Sequence, residues 1–403
     1  MFEEPLNDTE RETARELGRF LHRGCRVVLA DGAGAPFSLL RPLAHAARAV
    51  GGVELVLGWY LGPQVRKFPS DAFPVVRGYL GGYGLAGNEH VRFAPVRLSA
   101  MPALLAGPWR PDLLLLGLTT GRALGTEVSW MPAAMRSASQ VIAEVNHDLP
   151  AASITVAGTE GVPVVAEVNR PPAALPLPPR SEAADAIGVA VASRIPAGAC
   201  VQVGPGAVGE AALRAIDVPV RIESGVLTDP VRDLARRGLL LGEPVCAYVA
   251  GTPELYAWAD QRPLAREVEY THDIGRLSRL PLVAINTALE IDHTGQVNIE
   301  GVAGRTIAGV GGHTDFAAAG GRAADGLSIV ALPAFRGGRP TLVDRLSAPV
   351  STARTDVDIV ITEAGSRDVR GLSDSERATA LAALWERARR NHGAPPSSSR
   401  VDR

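Results

Sequence analysis

The chain has 403 residues, 46% of them hydrophobic and 21% charged, with a formal net charge of −2. That length exceeds one ordinary core, and that composition describes a soluble globular protein with no basic footprint for nucleic acid or an anionic membrane. No apolar run approaches the ~20 residues that span a bilayer, and the opening stretch MFEEPLNDTERE is acidic, unlike a signal peptide, so a cytoplasmic protein is expected.

In chain order, Asp8–Arg23 reads as a helix and CRVVLADGAG as a buried strand breaking into a glycine turn. A helix is predicted over Phe37–Ala49, and VELVLGWYLG is the next strand. Asp112–Thr119 and Gln140–Val145 are continuous apolar runs of the kind buried on both faces of a parallel sheet. Arg170–Arg180, RPPAALPLPPR, holds five prolines and cannot continue a helix or a central strand, so it reads as an extended linker. The alternation then restarts: a helix at Ser181–Arg194, a strand at Cys200–Val203, a glycine loop, a helix from Gly209 and a strand at Val218–Glu223. Further strands are expected at Pro281–Asn286, Ser328–Leu332 and Asp358–Thr362. Strands alternating with helices in both halves predict two similar open α/β domains, residues 1–169 and 181–390 on either side of the linker. The tail from Asn391 to Arg403 reads as disordered.

Several motifs bear on chemistry. Gly204, Gly206 and Gly209 spell GxGxxG between a strand and a helix, with Glu223 at the end of the next predicted strand where a ribose-binding acid would sit. This is the case for a nicotinamide-dependent oxidoreductase; the alternative is a tight turn that packs beside another ligand. The run Asn286–Phe316 ends in a glycine loop, Gly309–Gly312, followed by His313 and Asp315. Consecutive glycines at Gly311 and Gly312 let backbone N–H groups approach an anion or a developing oxyanion. Asn146 and His147 lie in a turn after a strand. Cys25, Cys200 and Cys246 stand far apart, no His, Cys, Asp and Glu set has metal-ligand spacing, and no G-x-S-x-G elbow occurs. Lys67, the single lysine, sits in a polar RKFPSD segment, so neither a Walker loop nor Schiff-base chemistry is expected.

Taken in order, FAPVRLSAM at Phe93–Met101, EVNHDLP at Glu144–Pro150, Asn286–Phe316 and DVDIVITEAGSRDVRGLS at residues 356–373 resemble the acetyl-CoA hydrolase/transferase family over roughly residues 15–385. The resemblance implies two CoA-transferase-type α/β domains with the site between them, an acyl-CoA and a small carboxylate as partners, no metal, and a homodimer. It also implies coenzyme A along the C-terminal domain, near Gly204 and Gly206, with the thioester carbonyl at Gly311 and Gly312. Members of this family attack the thioester with a glutamate and pass through a glutamyl-CoA intermediate. The segment matching theirs is RIESGVLTDP, Arg221–Pro230, which puts Gly225 where that glutamate stands. Glycine has no side chain, so the covalent route is lost there.

Glu223, two residues and ~7 Å earlier along a strand, is expected either as a displaced base or nucleophile or as a strand cap. The family usually has glutamine where His313 stands; the histidine is an acid/base candidate or a hydrogen-bonding substitute. Asn146 and Asp315 are the further cleft candidates. The expected activity is acyl-CoA chemistry without the glutamyl carrier (hydrolysis, decarboxylation or another enolate-type reaction). Transfer through Glu223, a dinucleotide-dependent oxidoreductase and a non-catalytic acyl-CoA-binding subunit stand as alternatives.

Overall fold

The computed structural model describes residues 4–61, 69, 71–79, 90–153 and 156–391. Lys67 and the tail 392–403 lie outside the described residues. Two seven-stranded sheets organise the chain.

Counting only the strands of these two sheets, the first holds β1 (Arg26–Leu29), β2 (Glu54–Leu57), β3 (Val75–Gly78), β4 (Val91–Phe93), β5 (Leu113–Leu118), β6 (Gln140–Asn146) and β7 (Val164–Val168). Its order is β4-β3-β2-β1-β5-β6-β7, all parallel. β5 reads LLLLGL and is buried at every position, as a central parallel strand covered on both faces must be.

The second sheet holds β8 (Cys200–Val203), β9 (Arg221–Leu227), β10 (Val245–Val249), β11 (Leu282–Thr287), β12 (Leu327–Ala331), β13 (Ile359–Thr362) and β14 (Gly365–Asp368). Their order is β10-β9-β8-β11-β12-β13-β14, parallel except for the antiparallel edge pair β13–β14. In each sheet the strand order reverses once, between β1 and β5 and between β8 and β11. Such a reversal opens a crevice at the carboxyl ends of the flanking strands.

Residues 170–180 carry no helix or strand, yet the segment is pinned: Ala173 N donates to Ala33 O at 3.0 Å and Leu175 N to Gly251 O at 3.0 Å. One apolar cluster runs through both halves, from Val28 and Leu116 in the first sheet to Tyr248, Ile285 and Ile361 in the second. The two sheets are therefore welded across a shared core.

Local boundaries differ from the sequence reading where tertiary contacts decide. The first helix stops at Gly18, and the helix expected over Phe37–Ala49 begins as a 3₁₀ turn, Phe37–Leu39, before Leu40–Val50. The strand expected at Val218–Glu223 is β9, which starts at Arg221 and continues through Gly225 to Leu227. Pairing with β10, with Val226 opposite Tyr248 and Leu227 opposite Val249, sustains it past the glycine. Asn391 closes a helix, Asp374–Asn391, so the order of the chain reaches the residue where a disordered tail was expected to start.

Candidate active site

A cleft of ≈ 490 Å³ opens at the carboxyl ends of β8, β9 and β11, at the reversal point of the second sheet. Gln202 and Gly204 come from β8 and its following loop, Gly225 and Val226 from β9, and Asn286 and Thr287 from β11. The glycine loop Gly309–Gly312 forms one wall, and Trp59 and Leu98 from the first half of the chain close the cleft from the other side.

The glycine loop is held in place from both ends. Gly311 has φ +56°, in the left-handed region that favours glycine, and its carbonyl accepts the Leu98 N–H at 2.9 Å. Gly312 is the N-cap of the helix His313–Arg322, whose first N–H groups point toward the loop at the positive end of the helix dipole. Asp315, in the first turn, is buried: its Oδ1 accepts the Ser99 hydroxyl at 2.7 Å and its Oδ2 the Ser99 N–H at 3.1 Å. It clasps the first half of the chain to this helix and does not line the cleft.

His313 does line it, but both ring nitrogens are engaged: Nδ1 with the Thr352 hydroxyl at 2.7 Å and Nε2 with the Thr287 carbonyl at 3.3 Å. A carbonyl only accepts, so Nε2 carries the proton and Nδ1 accepts from Thr352. Burial pushes its pKa down to about 4.

Glu223 lies mid-strand on β9, not at its end. Arg276 grips its carboxylate with two nitrogens, at 3.0 and 2.7 Å, and stacks at 3.9 Å over the Tyr270 ring. Glu223 is absent from the described cleft lining, and its place in the strand is wrong for a ribose-binding acid. The GxGxxG glycines divide likewise. Gly204 lines the cleft, Gly206 (φ +131°) faces a separate pocket with Pro176 and Glu210, and a Cβ on Gly209 would collide with the Gly204 carbonyl. Asn146 sits apart from the cleft. Its side chain clamps the Arg170 backbone, donating to the carbonyl at 2.8 Å and accepting the N–H at 3.1 Å.

Gly225 is on the cleft floor, with φ outside the left-handed region. A Cβ there would stand 3.5 Å from His272 Nε2 and 3.6 Å from Phe316 Cε2, ordinary van der Waals contacts. His272 went unremarked in the sequence. It follows the short helix Val268–Thr271, is 1% exposed, and its ring lies 4.8 Å from that of Phe316. The Thr271 hydroxyl stands 3.2 Å from the Glu267 carbonyl and 2.8 Å from His272 Nδ1, and its one proton serves one of the two. Burial first, and then the charge of Arg276, lower the His272 pKa to about 3, so the ring is neutral.

Among the described residues, His272 Nε2, Gln202 Oε1 and Asn286 Nδ2 are buried without a hydrogen-bond partner, and all three residues line this cleft. Buried polar atoms are rarely left so, which marks the floor as the place where a ligand or water completes the bonding. Behind the cleft wall, the Tyr248 hydroxyl donates to Asp31 Oδ2 at 3.3 Å, joined there by the Tyr79 hydroxyl at 2.7 Å and the Trp59 N–H at 2.8 Å. Burial raises the Asp31 pKa to about 6 despite these donors. The described residues hold no cluster of three metal-ligating side chains and no helix long and apolar enough to cross a membrane.

Comparison with known proteins gives this geometry a context. Residues 251–391 match the acetyl-CoA hydrolase/transferase C-terminal domain. The 4-hydroxybutyrate coenzyme A transferase of Clostridium kluyveri is 26% identical over 402 residues, covering 92% of this chain and 92% of that one. The acetyl-CoA hydrolase of Saccharomyces cerevisiae is 36% identical over 113 residues, 25% of this chain and 20% of its own length. Among solved structures, the 4-hydroxybutyrate CoA-transferase of Porphyromonas gingivalis superposes with a TM-score of 0.73, covering 94% of this chain and 97% of that one at 25% identity. With its two largely parallel sheets and its cleft at the reversal point of the second, this chain is similar along most of its length to coenzyme A transferases, and its residues 251–391 carry the acetyl-CoA hydrolase/transferase C-terminal domain.

Proposed function

We propose that this enzyme acts on an acyl-CoA thioester without a glutamyl-CoA intermediate, with direct hydrolysis to the free acid and coenzyme A as its reaction. The observation that carries the proposal is Gly225 on the cleft floor, with Glu223 held two residues back by Arg276. A nucleophile must reach the thioester carbon at ~3–3.5 Å. A carboxylate tied bidentately to a guanidinium is a poor nucleophile, and this one sits ~7 Å back along the strand on the same face. Direct attack by water requires no carrier, only donors for the carbonyl oxygen and a place for the water. In this reading Gly312 and the helix start behind it supply donors, Gly204 marks the coenzyme A side, and His313 is the hydrogen-bonding substitute that orders the loop. The three buried, free cysteines fit a reducing cytoplasm.

The test is mass spectrometry of mono- and dicarboxylic acyl-CoAs incubated with the wild type and with Gly225→Glu, each with and without acetate. Free coenzyme A from the wild type without acceptor, and acetyl-CoA formation only in the variant, is the expected pattern. Acceptor-dependent acetyl-CoA from the wild type overturns the proposal.

A further inference from the structure

We infer that Arg336 and Arg339, which flank the turn of Gly337 and Gly338, form a phosphate clamp at the mouth of the cleft and hold the phosphate end of the coenzyme A moiety. The inference rests on the acyl-CoA reading and is indifferent to whether water or a carboxylate attacks the thioester.

The cleft sorts its residues by depth. Its floor is buried and uncharged: Gln202 and Asn286 are each 3% exposed, His272 is 1% exposed, and burial keeps His272 and His313 neutral. Toward solvent the lining turns to Ile307, 43% exposed, and to Arg336, which is exposed. Among the described lining residues Arg336 is the one permanently charged side chain, and no carboxylate stands with it. A ligand that reacts on this floor and ends at Arg336 is apolar near the floor and anionic at its outer end. An acyl-CoA runs in that order, from thioester through pantetheine arm to diphosphate and 3′-phosphate. A second carboxylate on the acyl group would lie on the far side of the thioester, away from the mouth.

The hairpin itself is the second observation. Phe335–Arg336 pairs antiparallel with Arg339–Pro340, which sets Arg336 directly opposite Arg339. The turn between them has both glycines in the left-handed region, Gly337 at φ +55° and Gly338 at φ +76°, as a two-residue hairpin turn demands. Directly opposed residues project from one face of a hairpin, and like charges placed so repel. Arg336 Nη2 donates to the Ala288 carbonyl at 3.2 Å, which turns that face to the cleft wall. Glu290, the carboxylate whose charge reaches Arg336, is already taken by Asn298 Nδ2, the Ser347 N–H and the Ser347 hydroxyl, each at 2.8 Å. Among the described residues neither guanidinium has an ion-pair partner. An anion between them removes the repulsion, and phosphate oxygens match the donor forks of two guanidiniums.

Isothermal titration calorimetry tests the clamp on wild type, Arg336→Gln and Arg339→Gln, whose exposed positions leave the core untouched. The probes are coenzyme A, dephospho-coenzyme A (no 3′-phosphate), pantetheine (no phosphate), and a monocarboxylic and a dicarboxylic acyl-CoA of equal length. Arg336→Gln should bind coenzyme A and both acyl-CoAs ~10–100-fold more weakly, Arg339→Gln should lose affinity in the same direction, and both should bind pantetheine as the wild type does. Added salt should weaken coenzyme A binding more steeply in the wild type than in either variant. Dephospho-coenzyme A assigns the group: a loss that persists with it places the diphosphate in the clamp, and a loss that vanishes places the 3′-phosphate there. Coenzyme A affinity within ~2-fold of wild type in Arg336→Gln, or an equal loss for pantetheine, overturns the clamp while the acyl-CoA reading stands. So does a loss confined to the dicarboxylic acyl-CoA, the mark of a guanidinium that reads the acyl group. A wild type that binds neither coenzyme A nor its thioesters ends both.

Discussion

Gly312→Ala is the sharpest test of the packing that builds this site. A Cβ at Gly312 would fall inside the van der Waals envelope of His272 Nε2, 2.7 Å from His272 Cδ2 and 3.0 Å from Phe316 Cε2. Ordinary carbon–carbon contact is ~3.5–4.0 Å, so the imidazole must retreat by ~1 Å. The Phe316 ring lies 4.8 Å from it and Thr271 ties Nδ1 at 2.8 Å, which blocks the retreat. The loop cannot give way cheaply either, because Leu98 N holds the Gly311 carbonyl at 2.9 Å and Phe316 N holds that of Gly312 at 3.0 Å. Overpacking of this kind costs ~1–3 kcal/mol, and surrendering the His272–Thr271 hydrogen bond adds ~0.5–1.5 kcal/mol. We therefore expect a loss of ~2–4 kcal/mol in urea titrations. In a cycle with His272→Ala, which empties the contested space, the pair should couple by ~1–3 kcal/mol in the favourable direction. A Gly312→Ala protein within ~0.5 kcal/mol of wild type, or strict additivity with His272→Ala, refutes the reasoning.

Two predictions concern pH. Burial raises the Glu127 pKa to about 8, although the Thr126 hydroxyl and the Gly34 N–H both donate to its Oε2. The folded chain therefore keeps a proton that the unfolded chain sheds near ~4.5, and stability falls by up to ~1.4 kcal/mol per pH unit as pH rises between those values. Glu127→Gln mimics the protonated acid, so its melting temperature should gain on wild type steadily from pH 5 to pH 8; a constant difference rejects the buried neutral acid. Below pH ~6.5 the sign reverses for His272 and His313, whose folded pKa values are about 3 and about 4. The unfolded chain then binds two protons that the folded chain refuses, costing up to ~2.7 kcal/mol per pH unit on the way down. His313→Gln should halve that slope in urea midpoints measured at pH 7, 6 and 5; an unchanged slope means His313 titrates in the folded protein.

Much of the fold was legible because short apolar runs bounded by glycine are strong local signals: β1, β5, β6, β8, β11, β12 and β13 lie where the pattern puts strands. What failed locally failed for tertiary reasons. Glycine is depleted in strands, so the sequence ended β9 before Gly225, whereas pairing with β10 carries the strand through it and moves Glu223 from a strand end to its middle. Asn146 and Asp315 are polar residues in the right segments, yet one clamps Arg170 and the other Ser99. His272 had no local signal at all. It is a single histidine in THDIG, and its meaning comes from residues 47 and 40 positions away, Gly225 and Gly312.

Those two glycines separate a structural demand from a functional one. Gly312 has no choice: any side chain there would enter the His272 ring. Gly225 has no such excuse, since its φ is ordinary and a Cβ would meet only normal contacts. Packing and backbone conformation explain the first glycine and leave the second unexplained. A residue where the fold has room for a Cβ, yet which is glycine on the floor of the cleft beside an unpartnered nitrogen, leaves that floor without a side chain. The proposed hydrolytic reading gives this glycine a purpose: a cleft floor with no side-chain nucleophile at that point leaves the thioester to water.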